Sequence, residues 1–150
     1  MLVKDILIPK LITIHSKATM QEAQQFMLQN NFRHLPVTNG KEIIGIISDR
    51  DIKLATVMGP ADNKANGHIQ SHKLVVDFMS SPVLKARMTD RIEDLIRDMI
   101  SFKVSCFVIE NESGEDIGII TTEDLLITFL DVLNSKSSVF HRFRNIWKAS

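Results

Sequence analysis

The sequence predicts an α/β (α+β) fold of two pseudo-symmetric halves, each running helix, strand, helix, two paired strands, helix. Three observations predict it. The stretch Gly45-Ile46-Ile47-Ser48-Asp49-Arg50-Asp51 returns as Gly118-Ile119-Ile120-Thr121-Thr122-Glu123-Asp124. Residues before it repeat at a fixed spacing, with Asp5 and Asp77, and Met27 and Met99, both 72 positions apart. Within each half, helical periodicity gives way to short apolar strand runs in the same order.

In chain order, a short apolar helix is expected at Val3–Leu7 and again at Leu74–Met79, followed by extended segments at Leu11–His15 and Val83–Arg87. Met20, Ala23, Phe26 and Met27, matched by Ile92, Leu95, Ile96 and Met99, have the three-and-four spacing of an amphipathic helix. Thr19 and Asp90 stand near the two starts as caps. Strands follow at Phe32–Val37 and Val104–Ile109. A turn at Asn39-Gly40 or Glu112-Ser113-Gly114 then leads to strands at Glu42–Ile47 and Asp116–Ile120. The second turn carries one extra residue, as a surface hairpin tolerates. Closing helices run through Ile52–Met58 and Leu125–Leu133. The expected division is therefore residues 1–58, a linker at 59–72 rich in Gly, Pro, Asn and Asp, residues 73–134, and a tail at 135–150. In the tail, Phe140, Phe143, Ile146 and Trp147 among His141, Arg142, Arg144 and Lys148 read as a basic amphipathic helix, packed on its own domain or on a second subunit.

The 150 residues are 44% hydrophobic and 24% charged, and 18 Lys plus Arg balance 18 Asp plus Glu. Such a balance points away from a nucleic-acid binder or an enzyme of acidic substrates. The single Cys106 excludes an intrachain disulfide and a cysteine-clustered metal site, and in a strand without a nearby base it reads as a buried structural thiol. His68 and His72 have a four-residue spacing but no acidic third ligand. Met27, Met79 and Met99 read as core filler. With no signal-peptide pattern at Met1–Lys10 and no long apolar run, the expected location is the cytoplasm, away from membranes.

The repeated element admits two readings. Ser48 and Thr121 are helix N-caps with Asp51 and Asp124 as capping-box acids, or the free N–H groups, hydroxyl and carboxylate converge on a ligand, amides toward phosphate and carboxylate toward sugar hydroxyls.

Taken together, Thr13-Ile14 ahead of Thr19-Met20-Gln21-Glu22-Ala23, then Arg33-His34-Leu35-Pro36-Val37, then Gly45 to Asp51, all echoed later, resemble a tandem pair of CBS domains, or Bateman module. The chain is also similar to small stand-alone bacterial members of the acetoin-utilisation type. The resemblance implies two repeats packed through their sheets, two clefts between them, a homodimer, and no catalysis. It implies an adenosine ligand such as AMP, ADP, ATP or S-adenosylmethionine as a regulatory molecule, no obligatory cofactor, and an unknown regulated protein partner. By position, Asp51 and Asp124 match the family's ribose-binding aspartate, and Ser48 and Thr121 its ribose or phosphate hydroxyl. Thr13, Ile14 and His15, with Lys85, Ala86 and Arg87, match the segment flanking the base. Arg33 and His34 stand where phosphate readers stand, whereas the second half has Ser105 and Cys106, so inequivalent sites are expected unless Lys85, Arg87 or a second subunit supplies charge. The competing expectations are a dimeric adaptor with vestigial clefts, a phosphohydrolase using the aspartates, and a nucleic-acid role.

Overall fold

The computed structural model describes residues 1–57 and 73–134. The expected linker, with His68 and His72, and the expected tail lie outside the described residues. Two three-stranded sheets form, ordered β1-β2-β3 and β4-β5-β6. The first comprises β1 (Ile14–His15), β2 (His34–Thr38) and β3 (Ile43–Ser48), and the second β4 (Lys85–Arg87), β5 (Cys106–Glu110) and β6 (Asp116–Thr121). Helices α1 (Met20–Asn30) and α3 (Ile92–Phe102) connect the first strand of each sheet to the second, so those pairs are parallel. The hairpins β2-β3 and β5-β6 are antiparallel, and α2 (Asp49–Val57) and α4 (Thr122–Asn134) follow directly.

The local chemistry explains the boundaries. Thr19 caps α1 in a complete capping box: the Glu22 N–H donates to Thr19 Oγ1 at 3.1 Å and the Thr19 N–H to Glu22 Oε2 at 2.7 Å. At α3 the cap is Arg91, with no side-chain bond, and the expected cap Asp90 instead accepts the Arg87 N–H at 2.7 Å. The register equivalent of Thr19 is Arg91, so Asp90 lies one residue too early to reach the helix's free amides. Asn31 and Lys103 close α1 and α3 at φ 54° and 56°, and the next residue's N–H returns to Met27 or Met99. That closure holds Phe32 and Val104 at the helix ends, and β2 and β5 start two residues later than the apolar pattern predicts.

The expected leading helices are single 3-10 turns, Val3–Asp5 and Val75–Asp77. Each packs on the opposite half. Val3 joins the core of Ile92, Leu95, Met99, Phe107, Ile109 and Ile120, while Val75 joins that of Met20, Ala23, Met27, Leu35, Val37 and Ile47. Backbone bonds fix the exchange: the Val3 N–H donates to Asp90 O at 2.9 Å, and the Val75 N–H to Ala18 O at 2.8 Å. Met79 and Ser80 continue along β3, where Ile46 and Ser80 exchange both backbone bonds. A Cβ on Gly45 would run into Met79 Sδ and lie 3.0 Å from Ser80 O, and one on Gly118 would meet Ile8 O at 3.1 Å. At the two glycines opening the repeated element the crossing segments thus pass too close to the sheet to leave room for a side chain without a shift. Of the expected core methionines, Met27 and Met99 are buried and Met79 is partly buried. Among the described residues no helix is long and apolar enough to cross a membrane.

Candidate functional site

The repeated element forms a strand that ends in a helix N-terminus. Ser48 closes β3, and Asp51 Oδ2 accepts both the Ser48 N–H at 2.7 Å and its hydroxyl at 2.6 Å. Thr121 and Asp124 reproduce this at the end of β6, with both bonds at 2.7 Å. All of these bonds fall on one carboxylate oxygen. Among the described residues Oδ1 of Asp51 and of Asp124 accepts none, so each partly buried carboxylate keeps a face on which a hydroxyl can donate. The capping geometry therefore exists and occupies only half of each carboxylate.

Strand register brings the next residues to the same end of the hairpin. His34 pairs with Ser48 and Cys106 with Thr121. His34 Nε2 reaches across to the second half and lies 2.8 Å from Ser105 Oγ. A neutral ring can donate or accept in that bond; an imidazolium can only donate. Burial lowers the His34 pKa from its ordinary value, against the raising influence of Asp49 and Asp51 and alongside the lowering one of Arg50 and Arg33. Arg33 itself is exposed beside this histidine. Its carbonyl accepts the Asp49 N–H at 3.0 Å, and Ser105 O accepts the Thr122 N–H at 3.0 Å, so the residue before each middle strand is tied to the first turn of the closing helix.

At the equivalent of His34, Cys106 is buried, and burial together with the Asp124 charge pushes its thiol up to about 12. A thiol with that pKa is protonated and unreactive at neutral pH. Among the described residues no group of histidine, cysteine and carboxylate side chains is arranged to hold a metal ion.

The other predicted residues lie elsewhere. Ile14 pairs with Val37 and His15 with Thr38, toward the hairpin turn and about 10 Å along β2 from His34 at the usual strand rise. His15 is exposed, and its Nδ1 accepts the Lys17 N–H at 3.1 Å. Thr13 precedes the paired part of that strand and is half-buried. In the second half, Lys85 and Ala86 pair with Val108 and Ile109. The Lys85 ammonium sits 3.1 Å from Glu110 Oε1 and 2.8 Å from Asp116 Oδ1, a buried oxygen without a hydrogen bond of its own. The bond to Asp116 is the main influence raising the Lys85 pKa. Arg87 lines a shallow cleft of about 390 Å³ with Met88, Thr89, Glu110, Asn111, Glu112 and Gly114, at the turn end of the hairpin.

The structure therefore assembles Arg33, His34, Ser48 and Asp51 at one end of the first sheet, and Thr121 and Asp124 beside Cys106 in the second. Thr13, Ile14, His15, Lys85 and Ala86 are on β1 and β4 or just before them. Ser105 was absent from the expected ligand set except as the counterpart of Arg33. Its partnership with His34 depends on the pseudo-twofold arrangement, which the matching positions of the two residues could have suggested.

This repeated α/β frame, with an aspartate-capped helix after each hairpin, belongs to a class of paired regulatory modules. The CBS domain family matches residues 3–57 and 75–131, and the chain is a member of it, a tandem CBS pair. CBS domains are non-catalytic regulatory modules. The chain is similar to the CBS domain pair of protein MJ0100, solved in complex with 5-methylthioadenosine and S-adenosyl-L-methionine: identity is 27%, TM-score 0.71, and 86% of this chain and 95% of that one are covered. It shares its fold with a putative acetoin utilization protein (AcuB) from Vibrio cholerae at 19% identity and TM-score 0.69, over 92% and 96% of the two chains. Among curated proteins, an L-aspartate semialdehyde sulfurtransferase of Methanocaldococcus jannaschii is 29% identical over 126 residues, 83% of this chain. The chain spans only 22% of that relative's length.

Proposed function

We propose that this chain senses an adenosine compound of the AMP, ADP, ATP or S-adenosylmethionine class, bound between its two repeats, and passes the ligand state as a homodimer to a protein partner in the cytoplasm. The observation that carries this is the duplicated carboxylate: Asp51 and Asp124 each hold their own helix start with one oxygen and keep the other for a ribose hydroxyl. Ser48 and Thr121 lie against the same carboxylates, and the amides of Asp49, Asp51, Thr122 and Asp124 beside them already donate to Arg33 O, Ser48 Oγ, Ser105 O and Thr121 Oγ1, so a phosphate here would draw mainly on side chains. Thr13, Ile14, His15, Lys85 and Ala86 flank the base in this reading. The MJ0100 pair, with its methylthioadenosine and S-adenosylmethionine, supports the ligand class.

The first site is the one suited to an anionic ligand. Arg33 is exposed at its edge, and protonated His34 would add a second positive charge. The second has no counterpart to these, and the charge of Lys85 is matched by Glu110 and Asp116. For ligand to regulate anything it must favour one packing of the halves over another, typically by about 1–3 kcal/mol. The His34–Ser105 contact is a link between halves that such a ligand would reset.

The test is calorimetry and thermal shift with AMP, ADP, ATP, S-adenosylmethionine and 5-methylthioadenosine on wild type, Asp51→Ala and Asp124→Ala. A ligand at a hundred times its Kd stabilises by about 2.7 kcal/mol, and the responsible aspartate variant loses that gain. If no compound binds wild type, the sensor reading fails and the adaptor reading, with vestigial clefts and protein contacts, replaces it.

A further inference from the structure

A side-chain contact joins the two halves at the first site. His34 Nε2 lies 2.8 Å from Ser105 Oγ, and both residues are partly buried. His34 stands directly opposite Ser48 in the antiparallel register, so the two side chains leave the sheet on the same face, with Asp51 bonded to Ser48 beside them. Asp49, Asp51, Arg50 and Arg33, the charges that act on the ring, all belong to the first half. The second half adds a neutral hydroxyl.

The other ring nitrogen is open. Among the described residues Nδ1 makes no hydrogen bond, and it is not shut off from solvent. An anion at Nδ1 needs a proton there, whether the ring is neutral or an imidazolium. In the neutral ring Nε2 is then a bare acceptor, and in the imidazolium it is a donor. A hydroxyl serves both states, donating to the first and accepting from the second. A carboxylate in its place would hold the proton of a neutral ring on Nε2 and leave Nδ1 without one. Side-chain donors matter here, because the amides of Asp49 and Asp51 are already committed to Arg33 O and Ser48 Oγ.

We propose that Ser105 is a positioning residue of the first site: its hydroxyl holds the His34 ring so that Nδ1–H donates to the phosphate of an adenosine nucleotide. The inference rests on the adenosine-sensor reading and narrows it, since a compound without a phosphate gains nothing from this pair. The ligand resets the His34–Ser105 bond by fixing which partner donates. Ser105 O accepts the Thr122 N–H at 3.0 Å, so a phosphate bound in the first half is tied through one ring to the first turn of α4 in the second.

The test is calorimetry of AMP, ATP and 5-methylthioadenosine on wild type, Ser105→Ala, Ser105→Thr and His34→Ala, with Asp51→Ala assigning binding to the first site. Ser105→Ala is expected to weaken AMP and ATP roughly three- to tenfold, the effect of one hydrogen bond, and to leave 5-methylthioadenosine within about twofold of wild type. Ser105→Thr, which keeps the hydroxyl, should restore nucleotide affinity. Adding Ser105→Ala to His34→Ala should weaken nucleotides no further, because the serine acts through the ring. The proposal is overturned by an equal loss for all three compounds, by a loss that persists in the His34→Ala background, by failure of threonine to restore affinity, or by no loss at all. Nucleotide binding that Asp51→Ala leaves intact, or binding of 5-methylthioadenosine alone, overturns it while the sensor reading stands. Binding of no compound by wild type overturns both. Circular dichroism of each variant separates loss of the bond from loss of fold.

Discussion

The two halves of this chain share a backbone and differ in what they do with it. Both end a hairpin in an aspartate that caps its own helix, and both receive their leading turn from the opposite half. At the start of the middle strand, however, the first half has Arg33 and His34 where the second has Ser105 and Cys106. Helix α2 buries Ile52 and Ala55, whereas α4 buries nothing. The backbone bonds and the apolar positions that face the sheet are what the fold requires twice. Residues at strand ends and on outer helix faces are free to diverge, and the differences in charge and in exposed apolar surface collect there.

The strongest test of the shared frame is at its two glycines. Gly45→Val and Gly118→Val each push a side chain into a crossing segment, an overpacking worth about 1–3 kcal/mol. For a chain of this size that lowers Tm by about 2–4 °C per kcal/mol. The Gly45 variant is expected to suffer more, because the Ser80 carbonyl at 3.0 Å belongs to a backbone pair bonded in both directions and Met79 also fills the space. At Gly118 the Leu7 side chain, 3.1 Å away, can move aside, although the Ile8 carbonyl at the same distance cannot do so easily. Thermal unfolding of both variants checks the order; equal and negligible losses would mean that the crossing segments do not press on the sheets.

A smaller effect separates the halves by pH. Burial lowers the His34 pKa below its ordinary 6.5, so the unfolded chain binds the proton more readily than the folded one. The stability this confers is complete above pH 6.5 and is lost as pH falls through the folded value. Cys106, the equivalent residue, has a thiol near 12 and stays protonated throughout that window. Denaturant unfolding from pH 8 to pH 5 should therefore show a steeper acid loss in wild type than in His34→Gln. Cys106→Ser should leave the slope unchanged. Identical slopes for wild type and His34→Gln would remove His34 from the account.

What was legible in the sequence follows from the range of the interactions. The capping box of Thr19 with Glu22, the pairing of Ser48 with Asp51 and the burial of Met27 and Met99 are local or periodic, and residues three or four apart encode them. The exchange of leading turns is not: Val3 and Val75 look alike, and nothing within a few residues of either says which core it enters. The His34–Ser105 contact spans 71 positions for the same reason. Strands β1 and β4 came out shorter than the apolar runs because only Ile14–His15 and Lys85–Arg87 find a partner, and a run of hydrophobic residues does not record where pairing stops.

The weakest difference between the halves is the ion cluster on β4. Lys85 occupies the place of Thr13 and faces Glu110 and Asp116, a triad with no equivalent in the first sheet. The lysine side chain is 34% exposed, and solvent screens the pair, so Lys85→Met is expected to cost only about 0.5–1 kcal/mol. Most of that cost lies with Asp116, whose Oδ1 is buried without a hydrogen bond and loses its nearest cation. The double variant Lys85→Met, Asp116→Ile, with the residue that the first half has at that position, Ile43, should regain most of the stability. Urea unfolding of the single and double variants decides between the two accounts. Recovery in the double variant means that the triad corrects a local burial, and that Lys85 is held for the sheet and not for a ligand. No recovery, combined with weaker nucleotide binding in Lys85→Met, would instead return Lys85 to the second site and bring the two halves closer in chemistry than their side chains at Arg33 and Ser105 suggest.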